Sequence, residues 1–272
     1  MAKRPKRQPE LRRERAASNT YRFFIAPGSI SGRTVTIADA ALSHQLSHVL
    51  RLSAGDRVTL LDNSGWEYTV VLEQIERDRI DGVIEQRRLA TSEPRLKLTL
   101  YVPLLRGERF EWVLQKGTEL GVSAFVPMVC QRSVIDDLAE ISPTKLERWE
   151  RIIREAAEQA RRAKLPKLLP AMLFDTACEH AARRATAFVL WEGQGAQSLR
   201  RLLHAATQTP HGTAPFSIAL LSGPEGGLTE SELATAVMYR LPLASLGPRT
   251  LRAETAPLAA AAAVLWEAGD LD

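Results

Sequence analysis

From residue 96 onward, short apolar runs alternate with segments whose apolar residues recur at helical spacing. Short, continuous apolar runs are typical of strands buried on both faces, as in parallel sheets covered by helices. The alternation therefore predicts an α/β domain with a largely parallel sheet. The predicted strands are 96–103, 124–129, 187–191, 217–222 and 241–246, and the predicted helices are 109–120, 142–162, 176–184, 199–206, 229–238 and 255–268.

Residues 21–93 show a different pattern, in which β-rich runs are separated by hairpin-type connections. This pattern predicts a small β-domain, a meander or barrel, with one helix carrying Leu42, Leu46, Val49 and Leu50. The predicted strands are 57–61, 66–75 and 80–86, and residues 87–95 form the predicted linker. The 272 residues suit two domains of about 150 residues each, so we expect domains at 21–93 and 94–272.

Residues 1–20 are expected to form a flexible basic arm. Its first 15 residues hold seven of the 36 basic residues but only two of the 32 acidic ones, and include Pro5 and Pro9. Such a segment suits sequence-independent phosphate contact through counterion release. A disordered, solubilising extension explains the same composition equally well.

Several classes of protein are excluded by what the sequence contains. The two cysteines, Cys130 and Cys178, lie far apart, which excludes a disulfide framework and a zinc site built from thiolates. His44 and His48 are four residues apart without acidic or cysteine ligands nearby, so we predict no metal site. The apolar stretch at 256–266 is far shorter than the about 20 residues needed to cross a bilayer. We therefore expect a cytoplasmic protein without a membrane partner.

Three glycine-rich loops, 191–195, 222–227 and 245–249, follow predicted strands. The carboxyl ends of strands in an open α/β sheet are where ligands bind, so these loops could form one pocket. Neither a Rossmann nor a P-loop fingerprint follows the first strand. Glu225 within the second loop would repel phosphate and favour a neutral or positive ligand, such as a sulfonium. Tight turns and helix starts are the alternative, and Thr229 with Glu232 fits a capping box.

Charged residues also precede the last predicted helix, which is rich in alanine. Arg252 and Glu254 could form a mutual ion pair or line the pocket. The alanine run allows close helix packing, either in the core or across a dimer interface.

At these positions the sequence resembles the RsmE-type small-subunit ribosomal RNA uridine N3-methyltransferases of the SPOUT superfamily. The resemblance covers residues 21–266. It is carried by the segments 22–24 (RFF), 48–51 (HVLR), 116–121 (KGTELG), 132–133 (RS), 155–159 (EAAEQ), 223–227 (GPEGG), 246–249 (LGPR) and 251–256 (LRAETA). The chain departs from the family pattern at Ala160, Arg161 and Arg162, where many members have Ser or Cys followed by a small residue.

The resemblance implies an N-terminal PUA-like β-barrel and a C-terminal α/β methyltransferase domain with a trefoil knot. It also implies a homodimer with the site near its interface, S-adenosyl-L-methionine as cofactor, and 16S ribosomal RNA within the small subunit as partner, with no DNA partner. The cofactor would be held mainly by backbone groups. The residues carried over for it are Leu190, Glu192, Gly193, Gly223, Pro224, Glu225, Gly226, Gly227, Leu246, Gly247, Leu251 and Arg252.

Uridine N3 is a weak nucleophile while it carries its proton, so catalysis needs a general base or a group that stabilises the uracil anion. We predict that Arg252 stabilises the anion and that Glu254 positions Arg252. Arg22 and Arg132 are the predicted RNA contacts, whereas core packing is the more common role for residues such as Phe23 and Phe24. A non-catalytic ribosome-assembly factor, or a methyltransferase for another RNA nucleotide, would share many of these features.

Overall fold

The computed structural model describes residues 21–134, 137–207 and 216–271. Within these residues the chain divides into two compact units. Unit 1 contains residues 21–93 together with 161–164, and unit 2 contains the rest. The predicted basic arm at 1–20 lies outside the described residues. None of the helices in the described ranges is both long and apolar enough to span a membrane.

Unit 1 is built on a six-stranded sheet in the order β1-β4-β5-β6-β3-β2, in which only the β1–β4 pair is parallel. The strands are β1 (Arg22–Phe24), β2 (Ile30–Ser31), β3 (Thr34–Ile37), β4 (Arg57–Leu61), β5 (Trp66–Ile75) and β6 (Ile80–Leu89). The predicted strands are present, but β6 extends into the segment predicted as linker.

One face of this sheet and a short helix enclose the core of unit 1. The helix, α1 (Ala40–His44), begins at Asp39, whose carboxylate caps it, and continues as a π-helical turn over Gln45–Val49. Leu46, Val58 and Val70 are fully buried there. Phe23 is buried in this core and Phe24 is also buried, which confirms that both aromatic rings pack inside the protein. The predicted helix is present, although Val49 is exposed.

Residues 161–164 belong to unit 1 because the Glu93 carboxylate holds them there. Glu93 accepts hydrogen bonds from Arg162 Nη2 at 2.9 Å and from the backbone N–H groups of Ala163 at 2.9 Å and Lys164 at 3.1 Å. Burial alone would raise the pKa of Glu93, but Arg162 and the two N–H groups outweigh it and lower that pKa. The sequence predicted a helix through Arg162. Instead the helix ends at Gln159 and Arg161 adopts a left-handed backbone with φ of 58°.

Unit 2 contains an eight-stranded sheet whose described strand pairs are all parallel, confirming the predicted α/β class. Its order is β10-β8-β7-β13-β11-β14-β12, with β9 beside β8. The strands are β7 (Lys97–Pro103), β8 (Ala124–Val129), β9 (Lys167–Leu168), β10 (Met172–Leu173), β11 (Thr186–Leu190), β12 (Gln197–Ser198), β13 (Ser217–Leu221) and β14 (Leu243–Ser245). The sequence analysis missed β9, β10 and β12, because two-residue strands leave no periodic signal.

The helices of unit 2 follow the predicted alternation, with shifts of a few residues at their ends. They are α2 (Arg109–Leu120), α3 (Pro143–Gln159), α4 (Phe174–Arg184), α5 (Leu199–Thr207), α6 (Glu230–Met238) and α7 (Thr255–Glu267). Thr229 and Glu232 form the predicted capping box at the start of α6. On α7, Ala260 and Ala261 are buried in the core beside α2, so close packing within unit 2 accounts for these alanines.

Both cysteines are free thiols buried in the core of unit 2. Burial raises the pKa of both groups, to about 12 for Cys178. Because the thiolate is the reactive form, neither side chain is poised for redox chemistry at neutral pH.

We predict that Glu93→Gln destabilises the protein by about 3–5 kcal/mol at pH 7, because it removes the charge that neutralises buried Arg162. A carboxylate whose pKa is lowered by folding stabilises the folded state above its unfolded pKa of about 4.3 and loses that contribution as the pH falls through the folded value. The difference between wild type and variant in urea unfolding should therefore shrink in acid.

Glu85→Gln is the matched control, because Glu85 pairs with Arg57 on the exposed surface. It should leave the urea midpoint nearly unchanged. Equal effects of the two substitutions would contradict the anchoring role of Glu93.

Candidate functional site

A cavity of about 450 Å³ lies at the carboxyl ends of β11, β13 and β14 in unit 2. Its walls come from the segments that follow these three strands, which are neighbours in the sheet. The structure brings together all the predicted cofactor-binding residues except Gly193 and Gly226. Those lining the cavity are Leu190, Glu192, Gly223, Pro224, Glu225, Gly227, Leu246, Gly247, Leu251 and Arg252.

The glycines of these loops serve different purposes. Gly227 and Gly247 have positive φ of 72° and 114°, a conformation that side chains with a Cβ rarely adopt. Gly193 lies outside the lining, and a Cβ there would come within 2.1 Å of the Trp191 ring. Trp191 itself lines the cavity. The absence of a side chain at Gly193 therefore leaves room for the Trp191 ring in the cavity wall.

Gly226 has a comparable supporting role against Arg132. A Cβ on Gly226 would lie 2.9 Å from Arg132 Cβ. Arg132 Nη1 donates a hydrogen bond to the Gly226 carbonyl at 3.1 Å. Arg132, predicted as an RNA contact, is exposed and holds the second loop in place.

Arg252 and Glu254 both line the cavity, but within the described residues they form no ion pair with each other. The Arg252 carbonyl accepts the N–H groups of Thr255 and Ala256 at 2.9 Å each, which begins α7. Its guanidinium is exposed and pairs with no carboxylate in the part of the chain that the structure describes. The predicted positioning of Arg252 by Glu254 therefore lacks a direct contact.

Glu254 lies instead beside Arg109, a cavity residue that the sequence analysis missed. Arg109 Nε is 4.0 Å from Glu254 Oε1, and Arg109 Nη1 is 3.4 Å from Glu225 Oε1. Glu225 also accepts the N–H of Arg106 at 3.2 Å. The arginine thus sits between two carboxylates that belong to different loops, and it partly neutralises both.

The signal for Arg109 was present in the sequence. Residues 104–108 follow the first strand of the parallel sheet, β7, so they reach the same edge as the glycine loops. That segment lacks a nucleotide-binding fingerprint, but it still ends at the ligand edge. Because a polar residue after a parallel strand points to the ligand edge, Arg109 could have been included.

Arg22 in unit 1 is bound internally, and its role as an RNA contact stays a prediction. Its Nη2 lies 2.5 Å from Glu67 Oε1, and its side chain is only 10% exposed. Burial alone would raise the pKa of Glu67, but Arg22 and Arg88 together lower it. Because Glu67 already neutralises its charge, Arg22 has little free charge to attract a phosphate. The observed contact stabilises unit 1.

Other cations surround this ion pair on unit 1 and remain accessible. Arg88 binds Glu67 while its side chain is 65% exposed. Arg161 and Lys164 are exposed, and neither side chain pairs with a carboxylate among the residues the structure describes. We name Arg161 and Lys164 the unit 1 basic cluster.

His44 and His48 stack with ring centroids 4.8 Å apart. The described ranges hold no group of three or more His, Cys, Asp or Glu residues suited to a metal ion.

Comparison with known proteins assigns both units to one class. Residues 92–265 match the RNA methyltransferase domain family, and residues 46–85 match the RNA methyltransferase PUA domain family. The chain is therefore an RNA methyltransferase with a PUA domain.

Similar proteins identify the family of RNA methyltransferases to which the chain belongs. The chain is 34% identical to ribosomal RNA small subunit methyltransferase E of Synechocystis, covering 90% of this chain and 77% of the relative. The enzyme of that name from Bacillus subtilis is 31% identical, with 82% and 87% covered. A solved Neisseria gonorrhoeae enzyme of that name, bound to S-adenosyl methionine, is 31% identical with a TM-score of 0.79 and covers 92% of this chain and 98% of its own. The chain belongs to the ribosomal RNA small subunit methyltransferase E family.

We predict that Gly193→Ala destabilises the protein by about 1–3 kcal/mol, because the added methyl group overpacks against the Trp191 ring. In a Trp191→Ala background the same substitution should cost far less, since the clashing ring is gone. Chemical unfolding of the four proteins measures this coupling. An equal loss of unfolding free energy in both backgrounds would show that Gly193 does not make room for the Trp191 ring.

Proposed function

We propose that this protein transfers a methyl group from S-adenosyl-L-methionine to N3 of a uridine in 16S ribosomal RNA of the small subunit. The observation that carries the proposal is the cavity formed by three converging loops in a chain of this family. The Neisseria gonorrhoeae relative was solved with S-adenosyl methionine. The proposed site of action is the cytoplasm.

The cavity suits this cofactor in size and chemistry. Its volume of about 450 Å³ lies within the about 300–1,000 Å³ of small-molecule sites. Leu190, Leu228 and Leu246 supply apolar surface, and the carboxylates of Glu192 and Glu225 suit a positively charged ligand. Bound there, the cofactor would supply an electrophilic methyl group on a sulfonium. The predicted cofactor-binding residues would hold it mainly through backbone groups, so the Arg252 side chain would not be needed for binding, and Gly193 and Gly226 would support the loops from behind.

Several finer features of the family belong to the same proposal. We infer a trefoil knot of the SPOUT type, supported by the interleaved order in which β14 lies between β11 and the earlier edge strand β12. For unit 1 we infer a PUA-like barrel. We also infer a homodimer, supported by the exposed Trp266 on α7.

Arg252 is the proposed anion-stabilising residue. Arg252 lines the cavity, and among the described residues its guanidinium pairs with no carboxylate, so it is available to the negative charge that develops on uracil as the N3 proton leaves. A positive group fixed beside that charge lowers the barrier of the chemical step without being needed for cofactor binding.

We predict that Arg252→Ala lowers methyl transfer by about 10²–10³-fold while the affinity for S-adenosyl-L-methionine changes little. Calorimetry measures the affinity, and transfer of labelled methyl groups to small subunits or naked RNA measures the rate. Arg183→Ala is the control, because Arg183 is an exposed residue of α4.

Normal transfer by Arg252→Ala would contradict the role given to Arg252. Absence of cofactor binding in the wild type would instead favour a non-catalytic ribosome-assembly factor that binds RNA. Transfer to another nucleotide would retain the fold and the cofactor but change the substrate.

We further propose that the unit 1 basic cluster contacts RNA phosphates. Binding to phosphates releases counterions, so the slope of log affinity against log salt reports the number of contacts. Neutralising Arg161 and Lys164 to glutamine should lower RNA affinity and flatten this slope by roughly one to two. Arg79→Gln is the control, because Arg79 is already paired with Asp81. An unchanged slope in the double variant would contradict the assignment.

A further inference from the structure

A second cavity of about 560 Å³ lies next to the three-loop cavity in unit 2. It is open to solvent and is lined by Arg106, Glu108, Arg109, Trp112, Glu254 and Thr255. Arg109 and Glu254 line both cavities. Group transfer needs donor and acceptor in direct contact, and these two cavities adjoin each other at Arg109 and Glu254.

Trp112 gives this cavity an aromatic surface. It lies in the first turns of α2, and 45% of it is exposed. A single exposed aromatic residue is common on proteins. Here the ring lines a cavity together with Arg106 and Arg109, and an aromatic ring beside arginines is the combination that stacks unpaired bases and contacts their phosphates.

Glu254 supplies a hydrogen-bond acceptor that has no donor among the described residues. Its Oε2 is buried, and among the described residues no group donates a hydrogen bond to it. Its other oxygen, Oε1, faces Arg109 at 4.0 Å. A buried acceptor without a donor is unfavourable, so a ligand that brings an N–H to this carboxylate would be stabilised on binding.

The neighbours of Glu254 complete a pattern that distinguishes bases. Arg109 is a donor, the Glu254 carboxylate is an acceptor, and the Thr255 hydroxyl can donate. The Watson–Crick edge of uracil presents an acceptor, the N3–H donor and a second acceptor in sequence. Cytosine carries a lone pair at N3, which a carboxylate repels. The lining therefore favours uracil over cytosine at the carboxylate.

We propose that this second cavity is the subsite for the unpaired target uracil, with Trp112 stacking on the ring and Glu254 accepting the N3 proton. The inference rests on the proposed methyl transfer and replaces the positioning role predicted for Glu254. The N3–H bond breaks and its proton passes to the Glu254 carboxylate. The freed N3 electron pair forms the bond to the methyl carbon, and the carbon–sulfur electron pair stays on sulfur, so that the sulfonium becomes a neutral thioether.

Arg109 and Arg252 would stabilise the negative charge that appears on the uracil oxygens as the proton leaves. Because the target edge must be free, the nucleotide has to be unpaired or flipped out before it enters. The open mouth of the cavity is compatible with a base that remains attached to its RNA strand.

The subsite is tested first by photocrosslinking, which does not depend on catalysis. Small-subunit RNA carrying 5-iodouridine is irradiated with the full-length protein in the presence of S-adenosylhomocysteine, and the crosslinked peptide is identified by mass spectrometry. We expect the crosslink at Trp112, and its loss in Trp112→Ala. Crosslinks confined to other residues would overturn the assignment.

Single-turnover methylation separates stacking from proton transfer. Trp112→Ala should raise the RNA concentration needed for half-saturation by about tenfold to a hundredfold, with cofactor affinity unchanged. Trp112→Phe should restore most of the lost RNA affinity. Glu254→Gln should slow the chemical step by about 10²–10⁴-fold while the RNA half-saturation and the cofactor affinity stay unchanged. Phe216→Ala is the control, since Phe216 is an exposed aromatic before the amino end of β13.

Wild-type RNA half-saturation in Trp112→Ala together with a wild-type rate in Glu254→Gln would overturn the subsite while leaving the proposed function intact. If the wild type binds cofactor but transfers no methyl group to RNA, the proposed function fails instead. In that case the crosslink still decides whether the cavity holds a uracil.

Discussion

Parallel pairing of β13, β11 and β14 is the constraint on which the site depends. Neighbouring parallel strands end at one edge of the sheet, so the segments after them converge although they lie far apart in sequence. The three-loop cavity is the result. The loops then need glycines where the backbone turns left-handed, as at Gly227 and Gly247, or where another side chain packs closely, as at Gly193.

Several charged side chains at this edge of the sheet are only partly neutralised by neighbouring charges of opposite sign. Arg109 lies between Glu225 and Glu254, and this contact ties the segment after β7 to the loops after β13 and β14. Arg252 is exposed, and one oxygen of Glu254 is buried with no donor among the residues that the structure describes. Such uncompensated groups are costly in a structural role and useful where charge and protons move. The two cavities share Arg109 and Glu254, which supports the proposed transfer between two ligands.

Much of this architecture could be predicted from the sequence, because apolar periodicity reports burial directly. The five longer strands of unit 2 and the order of its helices were predicted in this way. The two-residue strands could not be, and neither could the return of residues 161–164 to unit 1, which depends on the Glu93 carboxylate. Motif glycines located the cavity. The partners of the charged side chains could not be predicted from the sequence. Arg22 is bound by Glu67, and Glu254 faces Arg109, with no ion pair to Arg252 among the described residues.

The most direct measurement is nucleoside mass spectrometry of small-subunit RNA after incubation with the purified protein and S-adenosyl-L-methionine that carries a deuterated methyl group. The account predicts that the label appears in 3-methyluridine. Label found only in another nucleoside, or no label in RNA while the cofactor is bound, would contradict it.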